Sequence, residues 1–121
     1  MYRFANPTFF LRLADRLIPV CAGLAFALLC WGLYLVFLQS PDDYQQGSSV
    51  RIMYVHVPAA WLGLACYGIM TTSAIGSIIF RHPLADVSGK ALAPIGASFT
   101  FLCLVTGALW GKPMWGTWWV W

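Results

Sequence analysis

The stretch "RIMYVHVPAAW" puts one histidine, His56, two residues before Pro58 at the edge of a long apolar run. Further on, "WGKPMWGTWWVW" gathers Trp110, Trp115, Trp118, Trp119 and Trp121, five of the seven tryptophans in the chain. Neutral imidazole is the commonest metal ligand among side chains, and an ionisable group at a membrane edge is a functional candidate by default. A boundary histidine is also commonly structural. Tryptophan gathers at membrane–water boundaries because its ring is apolar and its N–H seeks a polar partner. One or two would serve as anchors; five in so short a stretch exceed that need, although a simple aromatic belt stays open.

The elements that must hold these residues are membrane helices. The 121 residues are 60% hydrophobic and only 9% charged, against about a quarter charged in a soluble domain, so water is the wrong solvent for them. Three uncharged apolar runs cover about 17–38, 57–80 and 91–109. Roughly 20 helical residues cross a hydrocarbon core of about 30 Å. The chain is therefore read as all-α, one polytopic membrane domain over 1–121 with three transmembrane helices. The first run is longer than a signal-peptide core and no cleavage pattern follows it, so it reads as a retained span. Cys21, Cys30, Cys66 and Cys103 lie inside apolar runs with no C-x-x-C pair, and read as small buried hydrophobes.

Charge assigns the sides. Arg3, Arg12 and Arg16 in the N-terminal segment, with Arg81 and Lys90 in the 81–90 connector, outnumber Arg51 and Lys112. The positive-inside rule then puts the N-terminus and loop 81–90 in the cytoplasm, and 39–56 with the Trp-rich segment 110–121 outside. Residues 1–16 read as an interfacial segment lying on the membrane. There is no basic stripe of the kind nucleic acid requires. Asp42 and Asp43 read as solvating their loop, and His82 as a solvated loop histidine. Pro19, Pro58 and Pro94 fall near span starts, where helices tolerate proline. Gly63, Gly68, Ser73, Gly76, Ser77, Gly96, Ala97, Ser98 and Gly107 would let spans two and three approach closely.

His56 and the tryptophans thus share the outer side. Gly111, Pro113 and Gly116 argue against one continuous helix beyond Trp110, and Thr117 is a candidate cap for a new helical turn carrying the last tryptophans. Such a turn would spread an aromatic shelf suited to a flat, apolar ligand. A shelf plus an imidazole describes a haem site, with stacking on the macrocycle and an axial bond to iron. Arg51 and Lys112, the outer cations, would meet haem propionates or lipid phosphates. No nucleophile–base pair, phosphate-cradling loop or acidic metal cluster is visible, so the chain reads as a carrier rather than an enzyme.

"WGKPMWGTWWVW", together with "DDYQQGSSVRIMYVHVPAAW" and "APIGASFTFLCLVTGALWGKPMWGTWW", resembles the WWD-domain family, the haem-handling membrane proteins of cytochrome c maturation. The likeness covers essentially all of 17–121. It implies a six-span protein of the bacterial inner membrane that transiently holds b-type haem at its outer face between two axial histidines. It further implies delivery of that haem to a periplasmic haem chaperone, alongside an ABC transporter complex and a small membrane subunit. His56 matches the first family histidine, and the five tryptophans match the haem shelf. The family signature continues into an Asp after its last Trp, so the chain is expected to be an N-terminal half, with three more spans and the second histidine beyond Trp121. Two other classes stay in view: a permease subunit of a haem or solute exporter, and a structural subunit that docks partners through its Trp tail.

Overall fold

The computed structural model describes residues 6–120; Arg3 and Trp121 lie outside the described residues. The described chain is helical apart from short connectors. Its three main helices, α1 (Pro7–Tyr34), α2 (Val50–Phe80) and α3 (Pro83–Trp115), are each long and apolar enough to cross a membrane. They fall into two compact units, Met1–Ser40 and Pro41–Trp121.

In the first unit Asn6 caps α1, its side chain accepting from the Thr8 and Phe9 amides. Residues 7–16 form the opening turns of α1 rather than a separate surface segment. Large apolar side chains such as Phe26, Leu28 and Trp31 stand exposed along it, as a helix solvated by lipid requires. It ends in a π-helical turn, Leu35–Gln39, closed by the Ser40 amide donating to the Leu35 carbonyl at 2.8 Å.

The second unit is an antiparallel hairpin of α2 and α3. Its bend is two residues long. Pro83 excludes the helical region for the residue before it, and His82 is accordingly extended (φ −85°, ψ 116°). Arg81 takes the left-handed conformation (φ 48°), which closes the turn. The 81–90 connector read from sequence is therefore mostly helix: α3 starts at Pro83, and Lys90 pairs with Asp86 at 2.7 Å, one turn apart.

Small residues set the hairpin register. A Cβ placed on Gly76 would meet Ala85, on Gly89 Ser73, on Gly96 Cys66, on Gly63 Thr100, and on Gly107 His56. Each advance along α2 is matched by a retreat along α3, so the start of α2 and the end of α3 meet at one end. Gly68 has nothing within 4 Å, and Ala97 and Ser98 are exposed; these three do not join the seam.

Pro19, Pro58 and Pro94 sit inside their helices, not at the starts, because all three helices begin well before the apolar runs do. An interior proline costs about 3 kcal/mol in water, yet membrane helices tolerate it where neighbouring groups re-satisfy the backbone. Ser98 Oγ donates to the Pro94 carbonyl at 2.8 Å, a local side-chain bond one turn back along α3.

Candidate functional site

The chemistry-bearing residues collect at the open end of the hairpin. At 31 and 33 residues, α2 and α3 are long enough to project past the hydrocarbon core. His56 lies close to the start of α2 and Trp110 close to the end of α3. His56 is half-buried, and its Nδ1 lies 3.0 Å from the Cys103 carbonyl and 3.1 Å from Thr106 Oγ1, both on α3. A carbonyl can only accept, so Nδ1 carries the proton. Nε2 then keeps its lone pair, and among the described residues no group is hydrogen-bonded to it. That is the tautomer of a metal-ligating histidine, which almost always donates its other N–H to a carbonyl, carboxylate or water.

His56 lines a groove of about 270 Å³ with Met53, Val57, Ala60, Trp61 and Trp110. Trp110 is held there from two sides. Its Nε1–H donates to Gln46 Oε1 at 3.0 Å, and Trp115 meets its ring edge-on, centroids 4.7 Å apart at 87°. A second hollow, about 250 Å³, is lined by Gly107, Gly111, Trp115, Thr117, Trp118 and Trp119. Gly107, which touches the His56 ring, is one wall of it. The tryptophans are thus divided: Trp110 stands beside His56, while Trp115, Trp118 and Trp119 stand over the end of α3. The last three are 65%, 55% and 52% exposed.

The tail's backbone differs from the expectation. α3 runs unbroken through Gly111 and Pro113 to Trp115, and Gly116 ends it in the left-handed conformation (φ 75°). No helical turn restarts at Thr117 among the described residues. Its hydroxyl bonds the Trp119 backbone instead, and Trp118 and Trp119 follow in irregular chain. Trp115 at the end of α3 and Trp118 and Trp119 beyond the Gly116 turn therefore line one hollow without a shared helix.

The two cations expected on the outer side, Arg51 and Lys112, are both engaged. Arg51 pairs with Asp42 at 3.1 Å. Lys112 Nζ donates to the Gly116 carbonyl at 2.9 Å and sits 5.7 Å from the Trp118 ring centroid, serving the helix C-terminus and a cation–π contact together. Asp43 builds its loop: its carboxylate accepts from the Gln45 and Gln46 amides at 2.9 and 2.8 Å, and its backbone pairs with Gly47. That turn carries Gln46 to Trp110. Sequence reading missed Gln46, Cys103 and Thr106, whose contacts span 47 to 64 residues, and Trp61, one turn beyond Val57 on the helix that carries His56.

The family described as Heme exporter protein C matches residues 1–121. The chain belongs to the Heme exporter protein C family. A Heme exporter protein C of Bradyrhizobium diazoefficiens is 56% identical over 117 residues, 97% of this chain and 44% of the relative. Those of Haemophilus influenzae and Escherichia coli K12 are 47% and 43% identical over 121 residues, 100% of this chain and 49% of each relative. The chain thus spans about half the length of these curated Heme exporter protein C relatives.

Proposed function

We propose that this chain supplies one axial ligand and an aromatic seat for haem, which is held at the outer face of the bacterial inner membrane and passed on during c-type cytochrome biogenesis. The carrying observation is the His56 Nδ1 contact to the Cys103 carbonyl at 3.0 Å, which leaves Nε2 free to coordinate. Among the described residues no three His, Cys, Asp or Glu side chains gather to hold a metal. A lone imidazole suits iron that arrives already chelated by a porphyrin. The half-exposed or more exposed side chains of Trp115, Trp118 and Trp119 and the partly covered ring of Trp110 offer the macrocycle apolar contact.

Arg81 and Lys90, counted with Arg3, Arg12 and Arg16, outnumber Arg51 and Lys112 by five to two, which supports a cytoplasmic bend and an outer His56 end. The family name and the open site together support handing the haem to a periplasmic haem chaperone, with an ABC transporter complex and a small membrane subunit as neighbours. Haem is cargo here, transiently held and b-type, with His56 as one axial ligand. The test is a ferric-haem titration of the intact protein, followed at the Soret band. Wild type develops the band of a histidine-ligated haem; His56→Ala loses or shifts it. An unchanged band in His56→Ala would remove the ligand assignment.

A further inference from the structure

We propose that Thr106 is a positioning residue for His56: its hydroxyl accepts from Nδ1–H and fixes both the tautomer and the direction of Nε2. The inference rests on the haem-ligand reading of His56 and names what sets that ligand's strength.

Thr106 is only 8% exposed, the one buried polar side chain among the described residues. Its Oγ1 donates to the Leu102 carbonyl at 2.7 Å, one turn back on α3. The Cys103 carbonyl, 3.2 Å away, is a second acceptor for the same hydrogen, so the hydroxyl has backbone acceptors on α3 to donate to and meets Nδ1 at 3.1 Å as an acceptor. The Cys103 carbonyl, 3.0 Å from the same nitrogen, is also an acceptor. Two acceptors on one ring nitrogen admit a single solution: Nδ1 is protonated and shares its hydrogen between them. The opposite tautomer would set a nitrogen lone pair against the Cys103 carbonyl and force the Thr106 hydrogen away from its shorter bond. Gly107 adds the third constraint, because the ring lies against its bare Cα. The ring is thereby held against α3 at Nδ1 and at Cε1, the carbon bonded to Nε2, so the same contacts fix the direction in which Nε2 points.

A hydrogen bond to Nδ1–H makes the imidazole a stronger donor, and outer partners of metal-bound histidines are typically worth 10–100-fold in metal affinity. A stronger donor favours ferric over ferrous iron. In Thr106→Val the buried Nδ1–H keeps one acceptor instead of two, and solvent cannot replace the other. Ferric-haem affinity falls about tenfold, at the low end of that range, and the haem midpoint potential rises. Thr106→Ser, which keeps the hydroxyl, restores both.

The experiment has two arms on the intact protein. In the haem-free protein, ¹⁵N NMR of the His56 ring reads the tautomer directly, with no variant needed. Nδ1 protonated and Nε2 bare supports the proposal; a protonated Nε2 overturns it. In the haem-loaded protein, the Thr106→Val effects with Thr106→Ser rescue support it. Wild-type affinity and potential in a folded Thr106→Val overturn it. The His56→Ala titration keeps the layers apart. A Soret band unchanged in that variant sinks the ligand reading, whereas a lost band with a silent Thr106→Val sinks only the positioning role.

Discussion

A Cβ added to Gly107 would lie 3.1 Å from His56 Cε1, so the imidazole rests directly on the backbone of α3. The contact ties the candidate ligand to the helix that carries the tryptophans, and it leaves no room for a methyl group. The ring cannot slide away freely, because Nδ1 is bonded to Cys103 and Thr106 on the same helix. Gly107→Ala therefore pushes the ring by a few tenths of an ångström and stretches those bonds. Ferric-haem affinity should fall about tenfold, comparable to losing an outer-shell partner. Stability should move by no more than about 1 kcal/mol, since alanine's helix propensity offsets much of the clash. Gly68→Ala, with nothing within 4 Å of its added carbon, is the control and should leave haem titration unchanged.

The Gln46–Trp110 bond makes a separate prediction. Its 3.0 Å contact pins a loop turn onto the indole beside His56. Gln46→Leu removes the acceptor, and the Trp110 indole N–H should then exchange with solvent faster than in wild type, read by ¹⁵N-resolved hydrogen exchange. Trp110→Phe should destabilise the hairpin by about 0.5–1.5 kcal/mol for the lost hydrogen bond, plus a packing cost at the edge contact with Trp115. Unchanged exchange in Gln46→Leu would show that the turn is not what holds the ring.

How far these contacts were legible beforehand differs from element to element. The three helices announce themselves, since runs of uncharged residues of that length have few alternatives. Their ends do not. Asp86 and Lys90 look like loop charges in a string, yet one turn apart on a helix they pair, and Pro83 starts the helix instead of ending one. Gly111 and Pro113 look like breakers, but so close to a helix end little is lost by keeping the helix, and Gly116 is where it stops. His56 and the tryptophans could be singled out by residue type. Thr106, Cys103 and Gln46 could not, because their value depends on the register of α2 against α3, which close contacts such as Gly96 with Cys66 fix.

Sidedness can be checked without haem. The positive-inside count predicts Arg81 and Lys90 on the cytoplasmic side and Gln46 outside. With the four native cysteines replaced, a cysteine at Gln45 should react with a membrane-impermeant maleimide in intact spheroplasts. One at Ser88 should react only after the membrane is opened. The reverse pattern would put His56 and the tryptophans on the cytoplasmic side.

The most direct measurement of the central claim is imidazole rescue. His56→Gly of the intact protein leaves a space where the ring lay against Gly107. We expect its ferric-haem Soret band to be weakened or shifted, and added imidazole to return it toward the wild-type position in a saturable way. A His56→Gly variant that binds haem with the wild-type spectrum and affinity, and ignores imidazole, would contradict His56 as the axial ligand.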